Sequence, residues 1–313
     1  MTPPGPRGGR MISPAHPASV SATQRGILLM MAVASLFPLA DAIAKYIVND
    51  FHVVEIVWGR LLFQTLFVAL ATFLTQPVSV LRTSRFPLQA WRAIAGWLSN
   101  FPFIVALAYI GLADTFAIVL VGPLLVTALS VPLLGERVGP RRWAAVVIGF
   151  AGALVIIRPG MGLVHWAASL PLISALVFAF YQIATRSLGA TDRAVTTMFY
   201  NCVVPLVINS ALVPFFWTPP TTVQWALLAA MGLLSGVSHF LLIKAFTLAP
   251  ASTLAPFVYV QMVSGIALGY AVFGDFPDVW TLVGAAIIVA SGLYMFYRER
   301  LRRGADEARR SAG

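Results

Sequence analysis

Ten long apolar runs dominate the sequence and decide which solvent it folds in. They occupy residues 26–47, 55–75, 92–110, 114–134, 141–158, 166–186, 194–216, 224–247, 252–273 and 278–297, each about 17–24 residues long. As a helix, such a length crosses the roughly 30 Å hydrocarbon core of a bilayer. Backbone N–H and C=O groups find no water there, so each run must close its hydrogen bonds internally. The rest of the chain could not clothe a soluble protein, because 59% of it is hydrophobic and 10% charged, against roughly a quarter charged in ordinary globular domains. The expected fold class is an all-α integral membrane protein with ten transmembrane helices, and the lipid bilayer is its first partner. Pro38, Pro102, Pro123, Pro132, Pro171, Pro205, Pro214 and Pro256 fall inside the runs, where neighbouring groups can satisfy the backbone they free.

The runs come in two sets. LGERVGPRRW (134–143) has a faint echo in FGDFPDVWTLVG (273–284), which sets Gly135 on Gly274 and Glu136 on Asp275 at an offset of 139. Working backwards, AYIGLADT (108–115) falls on AFTLAPAST (245–253), and GWLS (96–99) falls on GLLS (232–235). Two units follow, 25–158 and 166–297, with a Pro-, Gly- and Ser-rich tail at 1–24 and a basic tail at 298–313. Residues 1–24 are expected to be disordered and cytoplasmic. Five helices per unit is an odd number, so the second unit must enter the membrane upside down. The halves are then related by an axis in the membrane plane, an arrangement that places a site at their interface. Gly149 and Gly152, Gly265 and Gly269, and Gly284 and Gly292 suit close helix packing.

Charge sets the orientation. With the N-terminus inside, 17 of the 21 lysines and arginines lie on cytoplasmic segments, among them Arg82, Arg85, Arg92, Arg137, Arg141, Arg142, Arg186 and Arg193. The other side carries Asp50, Glu55, Asp114, Asp275 and Asp278. Both termini are expected inside, as positive cytoplasmic loops require. The formal charge of +10 therefore reads as topology, and nucleic acid is not an expected partner. Cys202 is the only cysteine, which excludes an intramolecular disulfide and a cysteine metal cluster.

An ionisable side chain inside a span needs a partner or a wet cavity. Asp41 and Lys45 stand one turn apart and face the same way, and Arg60, one turn into the second run, comes to similar depth if the runs pack antiparallel. Two readings stand side by side: a structural Asp–Lys–Arg cluster, or charges that grip an anionic or zwitterionic substrate, with Asp41 as an alternative proton carrier. Aligning SLFPLADAIAKYI (35–47) with LVFAFYQIATRSL (176–188) matches Gln182 to Asp41, and Asn201 to Arg60. Gln182, Asn201, His239 and Gln261 are the other bulky polar groups within the runs, each a cavity residue or an interhelical hydrogen bond. Trp58, Tyr181, Phe199, Tyr200 and Tyr259 stand beside these positions. Such rings can stack a ring-bearing substrate or form interface belts. The expected substrate-binding set is Asp41, Trp58, Arg60, Tyr181, Gln182, Asn201, His239, Tyr259 and Gln261.

LGER after the fourth run, APASTLAPFVYVQMVSGIALGYAVFGD in the ninth and WTLVGAAIIVASGLYMFYRER in the last resemble the EamA-type transporters of the drug/metabolite transporter superfamily. The resemblance spans about residues 25–300. It implies two inverted five-helix repeats that move a small organic metabolite by alternating access. DAIAKYI and VVEIVWGRLLFQ look like the subtype that transports S-adenosylmethionine or riboflavin. The second copy departs from the motif, with Asp275 in place of glutamate and no basic residue after it.

No HExxH, GxSxG, Walker A or GxGxxG motif is present, and His16, His52, His165 and His239 show no metal-ligand spacing. No catalytic residue, metal or cofactor is expected. Without a nucleotide-binding domain, the driving force would be an ion or substrate gradient. The expectation is a secondary transporter of a small polar metabolite in a bacterial inner membrane, for which import and export are both compatible, as is a homodimer. A polytopic membrane enzyme or scaffold is the alternative from another class.

Overall fold

A computed structural model describes residues 20–136, 138–158, 166–188 and 192–311. Residues 1–19, which make up most of the expected N-terminal tail, lie outside the described residues, as does Arg137. Twelve α-helices account for most of the described chain. The first half holds α1 (Val20–Ile47), α2 (Val53–Thr75), α3 (Phe86–Tyr109), α4 (Leu112–Val119), α5 (Gly122–Leu134) and α6 (Pro140–Ile157). The second holds α7 (Leu170–Leu188), α8 (Ala194–Leu212), α9 (Thr222–Leu248), α10 (Ala251–Leu254), α11 (Val260–Phe273) and α12 (Val279–Ser311). Among the described residues, nine helices or nearly continuous helix pairs are long and apolar enough to cross a membrane. At 24 residues α3 has the length as well, but Arg92, Ser99 and Asn100 dilute its apolar character.

The helices begin and end for local reasons. α3 starts at Phe86, with Pro87 in its first turn, where a residue lacking an N–H costs nothing. α1 begins at Val20, and α12 carries the basic C-terminal segment on as helix to Ser311. The fourth run is split at Leu120–Val121 into α4 and α5, and Pro123 behind the split cannot donate back to α4. The ninth run is broken too, by a 3₁₀ turn over Ala255–Tyr259. With the 139-residue offset, Leu120 corresponds to Tyr259, the last residue of that 3₁₀ turn, so both halves interrupt the same helix within about one turn of each other.

The echoed sequence motif proves to be a shared helix end. Gly135 closes α5 at φ 67°, and Gly274 closes α11 at φ 71°, the left-handed region that glycine enters without a Cβ clash. Gly135 N–H donates to Val131 O at 3.1 Å and Glu136 N–H to Ser130 O at 3.3 Å. In the second copy Gly274 N–H donates to Tyr270 O at 3.0 Å and Asp275 N–H to Gly269 O at 3.1 Å. Both are left-handed glycine caps, in which the glycine N–H bonds the carbonyl four residues back and so satisfies a group that a helix end leaves open.

Packing follows the same duplication. α1 packs on α9 as α7 packs on α3, α2 on α9 as α8 on α3, and α1 on α11 as α7 on α5. α2 meets α8, and α6 meets α12, so equivalent helices face each other across the seam. At the α6–α12 crossing a Cβ on Gly152 would come within 2.8 Å of the Gly284 carbonyl oxygen. α1 ends where Lys45 reaches Asp275, Nζ–Oδ2 3.6 Å. α7 ends where Asp192 accepts from Thr83 Oγ1 at 2.6 Å, at the far end of α2. Equivalent helices thus run in opposite directions. One end of the molecule gathers Asp50, Asp114, Asp275 and Asp278, and the other Arg82, Arg85, Arg141, Arg142 and Arg193.

Candidate functional site

Between the two ends, α1, α2, α3, α7, α8 and α9 enclose a layer of polar side chains. Asp41 on α1 is 7% exposed and forms an ion pair with Arg60 Nη2 on α2. Arg60 Nη1 donates to Asn100 Oδ1 on α3 at 3.5 Å, and Asn100 Nδ2 donates to Gly96 O at 2.8 Å. One turn along α2, Gln64 Nε2 lies 3.4 Å from His239 Nδ1 on α9. His239 Nδ1 donates to Ser235 O at 2.9 Å. Phe37 meets that ring edge-on at 5.0 Å. The close approach has a cause: at Gly232 of α9, a Cβ would sit 2.8 Å from Arg60 O and 2.9 Å from Gln64 N. α9 therefore rests on the backbone that carries both side chains.

A second group continues the layer towards the arginine end. Arg92 on α3 is 1% exposed. Its Nη2 donates to Thr197 O on α8 at 2.6 Å, and its Nη1 to Thr185 Oγ1 on α7 at 3.4 Å. The guanidinium lies 5.0 Å from the centroid of the Tyr181 ring, which stacks on Phe178 at 5.1 Å. Gly96 lets α3 come this near, since a Cβ there would stand 2.9 Å from the Tyr181 ring and 3.5 Å from Asn201 Oδ1. Asn201 Oδ1 is itself buried without a hydrogen-bond partner. Cys202, fully buried, lies beside Gln64 and within the field of Arg92.

Asp41, Arg60, Tyr181, Asn201 and His239 therefore lie in this polar layer. The other expected site residues lie elsewhere. Trp58 donates from Nε1 to Ser210 Oγ at 3.0 Å and meets Trp217 and Trp225 in an aromatic group near the aspartate end. Tyr259 is buried among apolar side chains against Phe296. Gln182 and Gln261 are half-buried on α7 and α11.

Two expectations are corrected. Lys45 does not join Asp41 and Arg60. It donates to Leu107 O at 3.2 Å and Ile110 O at 2.9 Å, capping the carbonyl end of α3, where a cation is favoured. Arg92 is not a loop charge, because α3 begins six residues before it. Taking the arginine as the edge of the apolar run hid that. Gln64 and Asn100 were missed as well, although Gln64 stands one turn from Arg60 in an otherwise apolar helix.

The EamA-like transporter family matches the chain twice, over residues 24–158 and 165–297. The chain is 26% identical to an S-adenosylmethionine uptake transporter of Rickettsia bellii over 260 residues, 83% of this chain and 89% of that one. It is 32% identical to a riboflavin transporter of Rhizobium johnstonii over 212 residues, 67% of this chain and 70% of that one. A pseudopaline exporter of Pseudomonas aeruginosa is 27% identical over 271 residues, 85% and 94% of the two chains. A crystal structure at 18% identity shares the fold with a TM-score of 0.62, over 90% of this chain and 98% of that one. With its apolar helices, the chain is a multi-pass membrane protein, a transporter and not an enzyme. It belongs to the EamA-like transporter family of the drug/metabolite transporter superfamily.

Proposed function

We propose that the chain is a secondary transporter moving a small polar organic metabolite across a bacterial inner membrane by alternating access. The observation that carries this reading is the buried polar layer at the seam, where Asp41, Arg60, Asn100, Gln64, His239, Arg92, Tyr181 and Asn201 meet from both halves. Ionisable groups at such depth are costly and mark solute pathways, and a seam between inverted halves is where rocking changes access. In this reading α3 is the tenth span, the two units are inverted repeats, and both termini are cytoplasmic because the arginine end faces inward. Asp41 and Arg60 grip the polar head of the solute, Tyr181 offers a stacking face, and Asn201 and His239 supply hydrogen bonds. Trp58 and Tyr259 stay outside this set because the first joins the aromatic group near the aspartate end and the second packs among apolar side chains, and Gln182 and Gln261 are left out of it as well.

The substrate is of the size and polarity of S-adenosylmethionine or riboflavin, the solutes named for two of the relatives. Export is the second reading, favoured by the likeness to a pseudopaline exporter across 94% of its length. Counterflow in proteoliposomes tests the proposal. Vesicles loaded in turn with S-adenosylmethionine, riboflavin or a mixed amino-acid pool should accumulate labelled solute in at least one case, and protein-free vesicles should not. Arg60→Ala should abolish that flux while the protein still inserts. Unchanged kinetics in this variant would remove Arg60 from the site.

A further inference from the structure

Among the described residues, Arg92 holds a charge that no carboxylate meets in an ion pair. A guanidinium stays protonated at any physiological pH, and an ion withdrawn from water costs several kcal/mol unless a counter-charge meets it. The sequence contains 11 carboxylates. Asp41 is taken by Arg60. Asp192 accepts from Thr83 Oγ1 at 2.6 Å and from Gln89 Nε2 at 2.7 Å, and forms no ion pair with Arg92. Asp50, Glu55, Asp114, Asp275 and Asp278 belong to the opposite end. Glu136 follows α5, and Glu299, Asp306 and Glu307 belong to the last turns of α12. Arg92 itself donates only to neutral acceptors, Thr197 O and Thr185 Oγ1, and faces the Tyr181 ring. Its Nε is buried with no partner. Among the described residues of the layer, Arg60 has Asp41 for an ion-pair partner and Arg92 has none.

Resting on the transporter reading above, we infer that Arg92 receives an anionic group of the transported metabolite, a carboxylate or a phosphate. The unpartnered Nε–H edge has the planar fork geometry that binds either group through two parallel hydrogen bonds. The position is also mechanically placed. Arg92 belongs to the first half, and the groups it donates to or faces, Thr185, Thr197 and Tyr181 on α7 and α8, belong to the second. An arriving anion would put a charged acceptor where the seam now offers neutral ones. This separates the two solute types named above, since S-adenosylmethionine carries an α-carboxylate and riboflavin carries no anionic group. A purely structural role, tying α3 to α7 and α8, needs no counter-charge and would not discriminate between ligands by charge.

The test uses two matched pairs of probes on the purified full chain in detergent, with ligand protection against thermal unfolding as the readout. One pair is S-adenosylmethionine and its decarboxylated analogue. The other is flavin mononucleotide and riboflavin. In at least one pair the anionic member should bind about tenfold tighter, the size of one charge-assisted contact. Arg92→Gln should bring that ratio to within about twofold, and Arg92→Lys, which keeps the charge but loses the fork, should fall between. Equal binding within both pairs, or an unchanged ratio in Arg92→Gln, overturns the inference. If Arg92→Gln does not melt cooperatively, the wild-type ratio and Arg92→Lys decide it. The pair that responds tells carboxylate from phosphate. Riboflavin counterflow without anion preference would leave the carrier reading standing and this one overturned, whereas anion preference without counterflow would keep the anion-binding role of Arg92 and count only against exchange of these solutes.

Discussion

At the scale of single residues, the charges outside the spans work as fasteners. Asp278 precedes α12, accepts from Thr281 N–H at 2.8 Å and forms an ion pair with Arg158. Burial works against its charge, but the Thr281 N–H and the Arg158 guanidinium outweigh it and hold the carboxyl below the usual 3.8. A carboxyl whose pKa is lowered by folding stabilises the fold above its ordinary value, and that contribution is lost as pH falls through the folded value. Asp278→Ala should therefore cost about 1 kcal/mol at neutral pH, the usual worth of a helix N-cap. The gap in thermal midpoint between variant and wild type should close as pH drops below 3.8. An equal gap at pH 3 and pH 7 would refute the account. Residue roles were the least legible part of the sequence. Lys45 shares a helix face with Asp41, yet carbonyl oxygens at the end of α3 outcompete the carboxylate for it. No spacing rule within one helix could show that, since the competitor lies 62 residues away.

At the scale of elements, the sequence was legible wherever a single helix decides its own limits. The apolar runs, the Pro87 start and the two glycine caps all follow from local chemistry. The breaks at Leu120–Val121 and Ala255–Tyr259 were not legible, because Pro123 and Pro256 do not fall at equivalent positions and neither marks its break alone. Contacts between elements also needed the structure. Gly232 reads as one more small residue in an apolar run, but its lost side chain is what lets α9 touch α2 at Arg60 and Gln64. A methyl group there would meet Phe63 Cβ at 2.5 Å and two backbone atoms within 3 Å, none of which can swing aside. Gly232→Ala should cost about 1–3 kcal/mol, as overpacking does. It should also weaken solute binding several-fold by shifting Arg60, a loss read by comparing its counterflow KM and thermal midpoint with wild type. Normal values for both would show that the crossing has slack.

At the scale of the whole molecule, the opposed ends and the reversed direction of equivalent helices support the inverted arrangement, and labelling can test which end faces the cytoplasm. Cys202 is fully buried, so Cys202→Ser removes the only native thiol. Single cysteines would then be introduced as Asp50→Cys at the aspartate end and Ser84→Cys at the arginine end. In intact cells an impermeant maleimide should label the first and not the second, and both after lysis. The reverse pattern would turn the molecule over. The repeat itself was legible only faintly, and the twin left-handed glycine caps explain why any trace endured. Within a span one aliphatic side chain substitutes for another with little penalty, so two copies of a gene can diverge there almost without limit. At Gly135 and Gly274 the backbone enters a left-handed region that costs most other residues about 1–2 kcal/mol, and selection has less latitude there. The history of a duplicated membrane protein is therefore preserved in its punctuation after its vocabulary has been rewritten, and ancestry in such chains is best sought where helices stop.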